Sequence, residues 1–508
     1  SLESGVRFAD HKRTSGRRGP AFRNGITVDP VTGRVVSNTP TPTTGWQAFP
    51  GDFGATSAAL VPGAIDAEWW RSFDDPALTA LIQRAWAANH DIGRAAARLD
   101  EARALLRESR QGFLPQGSAG VGHENRRRGD VETAPGQARR SETYRAAIDA
   151  SWEIDLFGRV RRASEGAQAD AGSREALLRD VQASGAAAVA PTWFELSGLD
   201  AELGVVAAIT QSQRDSLALV EGLENAGAAS GFDRLRAEAA LRSVEVVAPE
   251  LERRRAVAFN ALALLLGETP QTFVAPVPST APHALEVRRI IVGDPAALLA
   301  RRPDIEAAEL RLAAATAHIG VETAGLYPQI EIQGSIGVVA GSLGSTGGSS
   351  ALSSLLAPLL RWSFLDIGRV RARIAASEAR AREALIHYDQ TVLRALEETD
   401  NAFGAFSAAG TALQLRLQEA SATGQAADLA RAQFAHGEGV YLDVLEAERA
   451  DFASRRALVV ARTNQRLATV SIYKALGGGW VPCTREDVDC GGAGSRPVAR
   501  LTGFISRS

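Results

Sequence analysis

The sequence predicts an α+β membrane protein: a duplicated unit in which each copy supplies two membrane-spanning β-strands and long antiparallel coiled-coil helices. Three observations lead there. The chain repeats itself at long range, its strand regions alternate between apolar and polar residues, and most of the remainder follows a helical apolar period.

The repeat is legible residue by residue. Trp152, Gly158, Arg159, Val160, Arg161, Gly227, Asp233, Glu238 and Gly267 recur 210 positions later as Trp362, Gly368, Arg369, Val370, Arg371, Gly437, Asp443, Glu448 and Gly477. Upstream the offset becomes 213, where Asp91-Ile92, Arg98-Leu99 and Pro115-Gln116 match Asp304-Ile305, Arg311-Leu312 and Pro328-Gln329. A period this long holds several elements per copy, unlike a short solenoid repeat. The expected organisation is a leader over 1–64, a first unit over 65–267, a linker over 268–294, a second unit over 295–477 and a flexible tail over 478–508.

The leader is rich in Gly, Pro, Thr and Ser without periodicity, which reads as extended or disordered chain. Helices begin around Asp75-Pro76. From Asp91 to about Phe113 the residues Ile92, Ala95, Leu99, Ala102 and Leu106 keep helical spacing, and Pro115 ends the segment.

Between Pro115 and Gly158 the period falls to 2. Tyr144, Ala146, Ile148, Ala150, Trp152, Ile154 and Leu156 alternate with a polar set that includes Arg145, Asp149, Ser151 and Glu153. In the second copy Ile330, Ile332, Ile336 and Val338 alternate with Gln329, Glu331, Gln333 and Ser335. Hydrophilic tips, Asn125 to Arg140 and Ala340 to Ser350, join each strand pair. Long strands with this dyad pattern mark a transmembrane barrel. The smallest such barrels have about 8 strands, so a four-stranded chain must oligomerise. The competing reading is a half-exposed antiparallel sheet packed on helices.

After Gly158 the chain reads as one helix to about Glu224, roughly 100 Å long at ~1.5 Å per residue. It turns at Gly227 and returns from Phe232 to Leu266. The second copy repeats this from Arg369 to Phe434, turns at Gly437 and returns from Tyr441 to Leu476. Each return helix covers half its partner, and the shorter helix from Asp91 or Asp304 covers the rest. Pro191 and Pro249 predict kinks in the first copy alone.

Composition excludes several chemistries. The net charge is −3, so no global field favours nucleic acid. Lys12 and Lys474 are the only lysines, no phosphate-binding Gly-Lys loop appears, and the seven histidines show no metal-ligand spacing. No catalytic constellation and no cofactor motif are present, which points away from an enzyme. No apolar run is long enough for a membrane-spanning helix. Cys483 and Cys490, both in the tail, could pair in an oxidising compartment.

Specific strings then add a family. Trp69-Trp70-Arg71-Ser72-Phe73-Asp74-Asp75-Pro76, Trp152 to Arg159, Arg301-Arg302-Pro303-Asp304-Ile305, and Leu265-Leu266-Gly267 with Pro270 resemble the TolC-like outer-membrane factor family, in its efflux (NodT-type) branch. The resemblance spans about residues 65–480. It implies a homotrimer whose 12 strands form one outer-membrane β-barrel in contact with lipid and whose 12 helices form a periplasmic α-barrel. It further implies a passive exit duct for small toxic compounds, working with a periplasmic adaptor and an inner-membrane RND-type pump in a Gram-negative bacterium. The chain departs from that branch in lacking an N-terminal cysteine for lipid attachment and in carrying Pro191. Two other readings stay open: a protein-secretion duct of the same fold, and a periplasmic coiled-coil scaffold without a pore.

The helical turns farthest from the strands, with Gly227, Asp233, Gly437 and Asp443, are the expected adaptor contacts. Glycine capping and an acidic residue near a helix N-terminus would explain the same residues structurally. Just past the second turn Leu442, Glu446 and Arg449 share one helix face. The resemblance implies that this stretch lines the closed periplasmic aperture; without it, Glu446 and Arg449 read as an ordinary solvated pair.

Overall fold

The computed structural model describes residues 27–28, 35–36, 60–62, 67–276 except 133, 135, 137 and 228, then 290–292 and 301–479. Cys483 and Cys490, and with them the expected tail pairing, lie outside the described residues. In the segment ending at Ala59, Thr27–Val28 (β1) pairs antiparallel with Val35–Val36 (β2).

In the second unit, from Leu60 onward, Leu60–Pro62 (β3) comes first. Helices Pro76–Ala88 (α1) and His90–Gln111 (α2) lead to strands Gln116–Arg127 (β4) and Arg140–Ile154 (β5). The long helix Arg159–Asn225 (α3) follows, then Gly231–Glu245 (α4), Val247–Leu265 (α5) and the short strand Ile290–Val292 (β6). The second copy runs through Pro303–Ala324 (α6), Gln329–Ala340 (β7), Leu352–Arg361 (β8), Ile367–Ala435 (α7) and Tyr441–Ala475 (α8).

The segment read as an extended or disordered leader contains β3, which pairs in parallel with β6 from the expected linker. Strands of three residues are too short to show a period in sequence.

The main sheet has the order β4-β5-β7-β8 and is antiparallel throughout. Its register brings like with like. Ala146, Ile148 and Trp152 stand opposite Val338, Ile336 and Ile332, and Ile336 and Ile148 are exposed in the chain. Val121, Leu352, Leu356 and Leu360 extend the same apolar face onto the outer strands. The opposite face carries Arg145, Asp149, Glu153, Glu331 and Gln333. There Arg145 bonds Asp149 at 2.9 Å and Arg361 pairs with Glu331 at 3.5 Å. Strand β8 departs from the alternation, since Leu355 and Leu359 put apolar side chains on this face too.

The helices hold the sheet from one end. Asp75 caps α1 through the Ala77 and Leu78 amides, at 2.9 and 3.1 Å, while its other oxygen accepts from Trp193 Nε1 at 2.7 Å. Pro76 occupies the first turn, where a missing N–H costs nothing. Trp69, fully buried, stacks on Tyr473 at 5.3 Å, so the Trp-Trp string ties the start of the unit to its last helix. The two copies close alike. Asn89 donates to the Leu265 carbonyl, and Arg302, 213 positions later, donates to the Ala475 carbonyl. Each residue before a short helix thus satisfies a carbonyl at the end of that copy's return helix.

The two prolines behave differently. The first return helix divides at Val246, three residues before Pro249, while its counterpart α8 runs unbroken. A proline ring crowds the carbonyl four residues back, here Glu245, the last residue of α4. Helix α3 instead continues through Pro191 as one helix. Val189, Ala190, Trp193 and Phe194 around it are all buried, and such packing works against the ~3 kcal/mol a proline costs in a helix interior.

Candidate functional site

The two helical turns share a backbone solution. Gly227 and Gly437 adopt φ of 73° and 77°, the left-handed conformation that ends α3 and α7. The residues after them diverge. Ser230 caps α4 through its hydroxyl, which accepts from the Asp233 amide, and the Asp233 carboxylate accepts in return from the Ser230 amide and hydroxyl. These bonds, chiefly the one from the Ser230 hydroxyl, hold Asp233 below the usual carboxylate range. At the second turn Val440 stands at the cap position and offers no side-chain bond. Asp233 therefore completes a capping box, whereas Asp443 sits in the first turn of α8 without one.

Leu442, Glu446 and Arg449 are all exposed on one face of α8, as their spacing predicts. Among the described residues, no hydrogen bond or ion pair joins Glu446 to Arg449, so the ordinary solvated pair is not formed within the chain. The matching positions of the first copy behave otherwise: the Arg236 guanidinium lies over the Phe232 ring at 4.1 Å.

Sequence reasoning missed the buried side of α8. Glu448 is only 2% exposed and accepts from Gln213 Nε2 of α3 at 2.7 Å and from Arg431 Nε of α7 at 2.8 Å. Three helices therefore converge on one carboxylate. Tyr441, on the same buried stripe, has its hydroxyl pushed up to about 12, first by burial and then by the Glu448 and Asp233 charges. The signal was present. Tyr441, Val444, Leu445, Glu448 and Asp451 follow a core period in which two acids occupy apolar positions. Among the described residues the counterpart Glu238 makes only a 3.7 Å surface pair with Arg234.

No helix among the described residues is long and apolar enough to cross a membrane, and no group of metal-binding side chains occurs among them. A family description, outer membrane efflux protein, matches residues 81–268 and 295–478. The pyoverdine export outer membrane protein OpmQ of Pseudomonas putida is 30% identical over 458 residues, covering 88% of this chain and 95% of that protein. The toluene efflux pump outer membrane protein TtgI of Pseudomonas putida is 31% identical, covering 80% and 86%. Among solved structures the outer-membrane channel OprN is similar with a TM-score of 0.78 and 33% identity, covering 84% of this chain and 96% of that one.

Proposed function

Because this chain belongs to the outer membrane efflux protein family, an outer-membrane efflux channel of TolC-like fold in a Gram-negative bacterium, we propose that it works as a homotrimeric exit duct. In this reading three copies of the four-stranded sheet give a 12-stranded barrel, and the long helices continue it as a 12-helix periplasmic tunnel. A periplasmic adaptor and an RND-type inner-membrane pump deliver small toxic compounds to it.

The observation that carries the trimer is the sheet itself. Strands β4 and β8 end it with unpaired edges, and its apolar face lies exposed beside them. Unpaired backbone groups cost several kcal/mol each in lipid, so such a sheet must close on further strands. Cross-linking of the full chain in mild detergent should stop at three chains. A stable monomer or dimer overturns the shared barrel.

The two turns are assigned to the adaptor. Gly227 and Gly437 end the helices farthest from the sheet, and Asp443, free of a capping duty, is the better placed of the two aspartates to meet a partner. Asp233 serves its own helix first. Cysteines at Ala229 or Gly439 should cross-link to the cognate adaptor, and failure at both in an active pump removes the assignment.

Leu442, Glu446 and Arg449 are assigned to the resting aperture. Three Leu442 side chains meeting on the threefold axis would make an apolar ring. Glu446 and Arg449, which form no ion pair among the described residues, would then bond across to neighbouring copies.

A further inference from the structure

The first strand hairpin carries a charge arrangement to which the duct reading gives no role. On its apolar face the side chains run from Trp152 up to the stacked rings of His123 and Tyr144, whose centroids are 4.5 Å apart. Tyr144 to Trp152 is a rise of about 26 Å at ~3.3 Å per residue. That matches the ~25 Å apolar band, edged by aromatic residues, of an outer-membrane barrel.

Directly above Tyr144 on the same face come the cross-strand pairs Asn125 with Glu142 and Arg127 with Arg140. Arg127 and Arg140 therefore stand opposite each other, on the membrane side, just beyond the apolar band. Like charges directly opposite destabilise a sheet, and among the described strand residues no carboxylate pairs with both. Glu142 is the one carboxylate among the strand residues of that face, and Asn125 lies between it and Arg140. Arg140 Nε donates to Asn125 Oδ1 at 3.2 Å, while Asn125 Nδ2 donates to Glu142 Oε1 at 3.3 Å. Arg127 is exposed and has no ion pair among the described residues. Arg126 and Arg128 adjoin it in sequence. The corresponding tip of the second hairpin, residues 341–350, has no charged residue, so the arrangement belongs to one copy only.

We propose that Arg127 and Arg140 form a docking site for a phosphate-bearing lipid headgroup of the outer leaflet. Guanidinium groups donate paired hydrogen bonds in a planar fork suited to phosphate oxygens, and basic side chains just outside an apolar span select anionic lipid. An incoming phosphate would neutralise the opposed pair. The proposal rests on the sheet spanning the outer membrane.

The test uses the full chain in neutral detergent with lipid A, a glycolipid carrying two phosphomonoesters, and follows retained lipid by native mass spectrometry. The parent should retain lipid A, and Arg127→Gln with Arg140→Gln should lower its affinity at least tenfold. Arg126→Gln, on the opposite face, should change it less than twofold. Dephosphorylated lipid A should bind as weakly to the parent as lipid A does to the double variant, and equimolar inorganic phosphate should not displace the lipid. Undiminished lipid A binding by the double variant overturns the site; equal binding of the dephosphorylated lipid, or full displacement by phosphate, overturns the headgroup as its ligand. Carbonate extraction of outer membranes containing the parent is scored separately, because release of the parent would overturn the spanning sheet itself.

Discussion

Trp152 and Trp362 donate the same indole hydrogen bond from the two halves of the chain: Nε1 to the Phe113 carbonyl and to the Leu326 carbonyl, 3.1 Å in each case. The donors are 210 residues apart and the acceptors 213, so the two offsets of the repeat meet in one interaction. The three-residue slip falls between acceptor and donor, in the strand hairpin, where a change of length leaves both junctions intact. Each bond ties the base of a strand to the end of the short helix beneath it.

Removing either donor should therefore loosen one junction only. Trp152→Phe and Trp362→Phe should each cost about 1–2 kcal/mol, from the lost bond and some lost area. Strand β7 lies between the two sites, so the double variant should lose the sum within ~0.5 kcal/mol. Chemical unfolding in detergent measures this, and a strongly non-additive pair would mean that the junctions move together.

The helices and the two dyad strands were legible because burial on one face imposes a period, and the period survives in sequence. The division at Val246 was legible from Pro249 for a local reason. Pro191 leaves its helix undivided where Pro249 does not, and the buried residues beside it, Trp193 above all, come from tertiary packing that no local rule contains. The pairing of β3 with β6 joins two short segments far apart in sequence. Leu355 and Leu359 on β8 break the alternation, and no period could place them. At the turns, sequence found the shared glycines but gave both aspartates one role, although Ser230 against Val440 already distinguished them.

That distinction can be measured. Ser230→Ala removes the capping hydroxyl and should cost about 1 kcal/mol, while Val440→Ser supplies one to α8 and should stabilise by a similar or smaller amount. Hydrogen exchange at the first amides of α4 and α8 reads the two effects separately. Because Asp233 is held below the usual range, its share of stability is present above the unfolded carboxylate value and is lost as pH falls through the folded one.

Glu448 offers a sharper contrast with its counterpart. Glu448→Ala strips a buried carboxylate from Gln213 and Arg431 and should cost about 3 kcal/mol, the range for breaking a buried charged contact. Glu238→Ala, at a surface pair, should cost under ~1 kcal/mol. Equal losses by chemical unfolding would show that the three-helix convergence contributes nothing of its own.

Asp180, on α3, is pushed up to about 6, first by burial and then by the Asp304 charge, with Arg302 and Lys474 opposing. The folded state then holds a proton that the unfolded chain releases, so this group adds stability as pH falls from about 6 toward the ordinary value of 3.8. Above pH 6 the ionised, desolvated carboxylate costs stability, by at most about 3 kcal/mol. Asp180→Asn should raise the melting temperature at pH 7.5 and give little gain at pH 4.5. A gain independent of pH would trace the effect to packing instead.

The aperture assignment predicts a change in conductance without a change in assembly. Leu442 is 40% exposed in the chain, so truncating it opens no cavity in the chain's own core, and among the described residues Arg449 makes no hydrogen bond or ion pair whose loss would unfold it. Leu442→Ala with Arg449→Ala should therefore leave the assembled duct intact while removing both the apolar ring and the cross-copy bond. Single-channel conductance in planar bilayers should rise severalfold over the parent. The mirrored change in the first copy, Phe232→Ala with Arg236→Ala, removes a contact already satisfied within one chain and should leave conductance near the parent value. If the second pair opened the duct and the first did not, the resting restraint would belong to the first helical turn.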